Sequence, residues 1–150
     1  MNTFRRIVLI ISGVLLLIVG IMILLFPHSF YASNGVILGE QAGLLSEIRA
    51  TGGLFAGCGI ILIIGAIRQN IMRSALILAA LIFGTLGVAR LFSFLIDGMP
   101  GSSIAAAAFL EIIIGTLCAV LIPGVGSGLS ATETAAKKGQ QLRRSNYGID

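Results

Sequence analysis

The chain is expected to be all-α: a four-helix transmembrane bundle, up-down in connection, with both termini cytoplasmic. Three observations lead there. Hydrophobic residues make up 57% of the 150 and charged residues 11%, and the mean hydropathy is +1.05, outside the range of soluble domains. Four apolar runs of about twenty residues are each long enough to cross a bilayer as a helix, and none alternates over roughly ten as barrel strands do. The basic residues fall on alternate connections, the pattern of cytoplasmic loops. Only helices and closed barrels satisfy their backbone groups in lipid, so runs of this length read as helices.

The first span, residues 7–26, follows Arg5 and Arg6 and is stopped by Pro27. Its apolar core exceeds the 7–15 residues of a secretory signal. A cut after Ala32 would also put Phe30 where a small residue is preferred. An uncleaved first helix is therefore expected. Residues 27–43 read as a loop carrying His28, Tyr31, Asn34 and Glu40 but no Lys or Arg. The second span covers residues 44–67 and is followed by a basic turn at 68–73, with Arg68 and Arg73 at its ends. The third, 74–96, ends in Asp97-Gly98-Met99-Pro100-Gly101, residues that supply bends and positive φ. The fourth, 102–122, stops at Pro123-Gly124. Short connections between the last three spans make them antiparallel neighbours.

Residues 1–122 thus form one membrane domain, and 123–150 form a tail rich in Gly, Ser, Thr, Ala and basic residues, expected to be disordered and cytoplasmic. Its Lys137, Lys138, Arg143 and Arg144 suit anionic lipid heads, at about 1 kcal/mol each near the surface. The net charge of +4 does not point to nucleic acid. Eight of the ten Lys and Arg lie outside the spans, no aromatic residues interleave with them, and Trp is absent. Cys58 and Cys118 sit inside spans as small packing residues, and without neighbouring His or carboxylates they make no metal site. No cofactor motif is present. The glycines between 52 and 59 lie within an apolar helix, so they form no nucleotide loop.

Charge inside the spans is the feature that points to function. Glu47, Arg49, Arg90 and Glu111 lie within apolar runs, and Asp97 closes the third. At about 1.5 Å per residue, Arg49, Arg90 and Glu111 come to about 8, 10 and 13 Å below one surface, which the topology makes the outer one. Charges at such depth are costly and usually face a bundle interior or a wet cavity. Arg49, Gly53 and Gly57 share one helix face, and Ala107, Glu111 and Gly115 share another, so Gly53, Gly57 and Gly115 are expected packing residues. Glu111 and Arg90, on consecutive helices joined by a short turn, are the expected ion pair. That leaves Arg49 to Glu47 of a neighbour, to Asp97 or to an anionic ligand.

The block Ser46-Glu47-Ile48-Arg49-Ala50 with Gly52-Gly53, then Arg90-x-x-Ser93, Asp97-Gly98-x-Pro100 and Glu111, resembles an uncharacterised family of small four-helix bacterial membrane proteins. The resemblance covers roughly residues 5–122. It implies the architecture and a bacterial inner membrane, without an activity. The layout also looks distantly like the DoxX-type membrane proteins, some of which are redox-associated subunits.

The leading expectation is a non-enzymatic integral membrane protein, a binding or accessory subunit whose outward-facing charge cluster serves a pocket or a partner contact. Its partners would be the bilayer, a homo-oligomer or membrane subunit, and a small anionic or amphipathic ligand. One alternative is an oligomeric small-solute transporter or channel. Another is a membrane redox or lipid-modifying enzyme subunit, with Glu111 as acid–base group and Arg90 as its electrostatic partner.

Overall fold

The computed structural model describes residues 2–123, and all of its regular structure is helical. Four long helices, α1 (Asn2–Leu25), α3 (Ala42–Ile67), α4 (Met72–Ile96) and α5 (Ser102–Leu121), are joined by short connections, with a seven-residue helix, α2 (Pro27–Ser33), after the first. The long ones have 20 to 26 residues, or about 30–39 Å of helix. All four are long and apolar enough to cross a membrane, which makes this a multi-pass membrane protein. The spans expected at 44–67, 74–96 and 102–122 match α3, α4 and α5 to within two residues at each end. The first helix begins five residues earlier than expected and takes in Arg5 and Arg6. The tail beyond Pro123, with its four basic residues, lies outside the described residues.

The 27–43 connection departs from the expected loop, because its first part is helical. Pro27 has no N–H to lose at the first position of a helix, and its ring sets φ for one. It therefore ends α1 and begins α2 at once. The end of α2 is a Schellman motif: Val36 N donates to Tyr31 O and Gly35 N to Ala32 O, both at 3.0 Å. Gly35 takes φ +79°, where a Cβ would be penalised. The Asn34 amide and the Ser33 hydroxyl both donate back to Phe30 O.

The bundle is built as two tight antiparallel pairs. In the α1–α3 pair the backbones touch through glycine. A Cβ on Gly52 would lie 2.6 Å from Leu24 N, and one on Gly59 would lie 2.7 Å from Gly13 O. Gly20 lies opposite Gly52 and Ala56 in the same register. In the α4–α5 pair, a Cβ on Gly115 would lie 2.7 Å from Gly84 N, and Gly87 receives the Ile112 side chain. The close approach follows from small residues, as is usual for membrane helices.

The two pairs meet at the end that holds the N-terminus and the Arg68–Ile71 turn, here called the near end. There α3 and α4 touch through Gly65 and Ala75, and the core comprises Leu9, Leu16, Leu62, Leu76, Phe83 and Cys118 among others. Ser12 is buried with them. Towards the far end, which holds α2 and the Asp97–Gly101 turn, the pairs separate. Among the described residues no Cα of α3 lies within 8 Å of one in α5, and α2 comes that close only to α1 and α3 among the helices.

Candidate functional site

Where the pairs separate, they enclose a cavity of about 420 Å³, within the usual range for small-molecule sites. Its floor is Leu16 and Phe83, the last layer of the core. Its walls are aliphatic and aromatic, with Val19 and Ile23 from α1, Phe55 from α3 and Leu86 from α4. Ala107 and Leu110 of α5 close the side opposite α3. Phe30 and Tyr31 of α2, with Asn34 just after it, line the far end.

The polar groups of this cavity are few. Arg90 Nε donates to Glu111 Oε2 at 2.8 Å across the α4–α5 seam, and both side chains line the cavity. The glycine register brings them together, since Gly87 and Ile112 face each other one turn away. The side chains are 37% and 12% exposed respectively, so the carboxylate is the more enclosed partner. Arg90 uses only Nε here, leaving both Nη groups without a partner among the described residues, as is Glu111 Oε1. Thr51 also lines the cavity, but its hydroxyl donates to Glu47 O at 3.0 Å.

The other charges expected in the cluster go elsewhere. Arg49 is exposed on α3 and donates from Nη1 to Leu24 O, at the end of α1. That carbonyl is one of the acceptors a helix end leaves open, and Pro27 prevents the helix from running on to cover it. The guanidinium therefore caps α1 where the chain turns into α2, and within the chain it pairs with neither Glu47 nor Asp97. Asp97 caps the other far-end turn: Ser93 Oγ donates to its Oδ2 at 2.8 Å, and Gly98 follows at φ +90°. The Glu47 side chain is exposed and has no partner among the described residues. His28 and Glu40 come within 3.8 Å in the far-end loop. Both are open to solvent, so their attraction is weak.

The packing residues are partly displaced from the expected row. Gly115 does meet α4, but a Cβ on Gly53 or Gly57 would find nothing within 4 Å. Within the chain, Gly52 and Gly59 are the contact residues of α3, a face rotated by one position from the one expected. The partners that select this face, Gly13 and Gly20, are on α1, where the sequence reading placed no packing glycines. Cys58 and Cys118 are both free thiols. Sequence reasoning also missed Tyr31, Asn34 and Phe55, which line the cavity but carry no charge or motif to mark them. The one available signal was Pro27 followed by Asn34-Gly35, the start and stop marks of a short helix.

The family model for a domain of unknown function (DUF4345) matches residues 4–122, the segment that takes in the four long helices and the cavity. The chain belongs to that family. No curated protein and no solved structure matches it.

Proposed function

We propose that this protein is a non-enzymatic binding subunit of the membrane, whose far-end cavity holds a small amphipathic molecule. The observation that carries the reading is the cavity itself: about 420 Å³ of apolar-walled space, bounded on one side by an ion pair with unused hydrogen-bonding capacity. An apolar body suits the Phe55, Phe83 and Leu86 walls, and a polar head suits Arg90 and Glu111. The packed near half supports binding over conduction, since Leu9, Leu62, Leu76 and Cys118 fill the continuation of the cavity towards the near end. The basic residues Arg5, Arg6, Arg68 and Arg73 all belong to the near end. By the positive-inside rule that end is cytoplasmic, and the cavity belongs to the outer leaflet of what the resemblance suggests is a bacterial inner membrane.

The test is native mass spectrometry of protein extracted from its own membrane, beside Ala107→Phe, which fills the cavity, and Leu81→Phe, which places the same side chain on the lipid face. Leu81 is 60% exposed. A reproducible extra mass present in wild type and Leu81→Phe but lost in a folded Ala107→Phe supports the reading. Absence of any added mass in wild type, or its survival in Ala107→Phe, overturns it.

A further inference from the structure

The charge count of the cavity narrows the ligand. Arg90 and Glu111 neutralise each other, so an ionised ligand would add a net charge to a site walled by apolar side chains, where unpaired charge is costly. The unused atoms are of two kinds. Arg90 Nη groups can only donate, and the free oxygen of ionised Glu111 can only accept. A carboxylate head would satisfy the first and repel the second. A ketone or ester would satisfy the first and leave the second bare. A hydroxyl or primary amide satisfies both at once. Resting on the reading of this cavity as a binding site, we infer that its ligand is an uncharged amphiphile whose head carries both a hydrogen-bond donor and an acceptor, as in a long-chain alcohol or monoglyceride.

This narrows the expected ligand, anionic or amphipathic, to the uncharged amphipathic kind. Arg49, the cation left without a carboxylate, is spent on Leu24 O and does not line the cavity. Arg90 does line it but arrives already paired.

Three probes with one acyl chain separate the heads: monoolein, methyl oleate and sodium oleate, the last at a pH where it is ionised. Each is titrated into detergent-solubilised full-length protein, and the bound fraction is read by native mass spectrometry. Monoolein is expected to bind best, exceeding oleate by about tenfold or more, the worth of one hydrogen bond to a charged group. In Glu111→Gln, Arg90 loses its counter-ion, so oleate should gain on monoolein and the order should narrow or invert. Oleate binding tightest to wild type would overturn the inference while leaving the cavity a binding site. Equal binding of all three to wild type, or an order unchanged in Glu111→Gln, would overturn it as well. Failure of all three, together with no native adduct, would remove the binding reading beneath it.

Discussion

Breaking the Arg90–Glu111 pair should cost stability in a way that only direct coupling explains. An arginine at the centre of a membrane helix costs about 2.5–3.5 kcal/mol on the insertion scale. Arg90 lies six residues from the end of α4, or about 9 Å, and more than a third of its side chain is open, so part of that cost is relieved by reaching towards the interface. Glu111→Gln is therefore expected to lose about 1.5 kcal/mol. Arg90→Gln strands the deeper carboxylate and should lose about 2 kcal/mol, the larger penalty of the two because Glu111 is the more enclosed. The double variant leaves neither charge unpaired and should lose less than the sum of the singles by about 1–2 kcal/mol, the range for residues in contact. Reversible unfolding in mixed micelles, titrated with SDS, measures all four corners of the cycle. Additivity within about 0.5 kcal/mol would refute the pairing. So would failure of the swapped pair, Arg90→Glu with Glu111→Arg, to regain stability lost by either change alone.

Three further outcomes check the fold around the site. Gly20→Leu or Gly59→Leu should separate α1 from α3 and lower stability by about 1–3 kcal/mol or more, whereas Gly53→Leu and Gly57→Leu should leave the monomer's unfolding midpoint unchanged; equal damage from both sets would refute the assigned face. Arg49→Gln and Gly35→Ala each remove one end of the support of α2, the first at the α1 terminus and the second at the Schellman turn, where a Cβ at positive φ costs on the order of 1 kcal/mol. Both should speed amide exchange in α2 and leave α5 unaffected, and exchange unaltered in α2 would remove the proposed support. Under native conditions Cys58, half-buried, should react with a membrane-permeant maleimide faster than Cys118, which is fully buried in the core; the opposite order would mean that the near-end core is open.

The legible and illegible parts of this molecule divide along physical lines. Span number and boundaries were readable because the bilayer imposes one requirement, a continuous apolar helix of sufficient length, and Pro27, the Asp97–Gly101 turn and Pro123 interrupt the runs unambiguously. The Arg90–Glu111 contact was readable because a short turn forces α4 and α5 to be neighbours and an unpaired charge there is expensive. Arg49 was harder. Its acceptor is a backbone carbonyl, and backbone acceptors are invisible in a sequence until the helix end that exposes them is located. The intrachain glycine face of α3 is hard to read for a similar reason. Both Gly52-Gly53 and Gly57-x-Gly59 offer small residues at helical spacing, and only the position of Gly13 and Gly20 on α1 decides between them.

The cavity itself follows from these same contacts. Glycine packing draws α1 to α3 and α4 to α5 until backbones touch, and Gly65 against Ala75 joins the two pairs at the near end. At the far end no small residues join pair to pair. Phe30, Phe55 and Leu86 stand there instead, with Arg90 and Glu111, and their bulk and polarity hold the pairs apart. A chain selected only for a stable bundle has a simpler solution available, since well-packed apolar residues in place of a buried ion pair are often neutral or stabilising. This chain keeps the pair, spaces it with large side chains and turns a short capped helix back over the opening. Each of these features costs stability or ordering entropy. An amphiphile in the cavity, as proposed above, would account for all three features together.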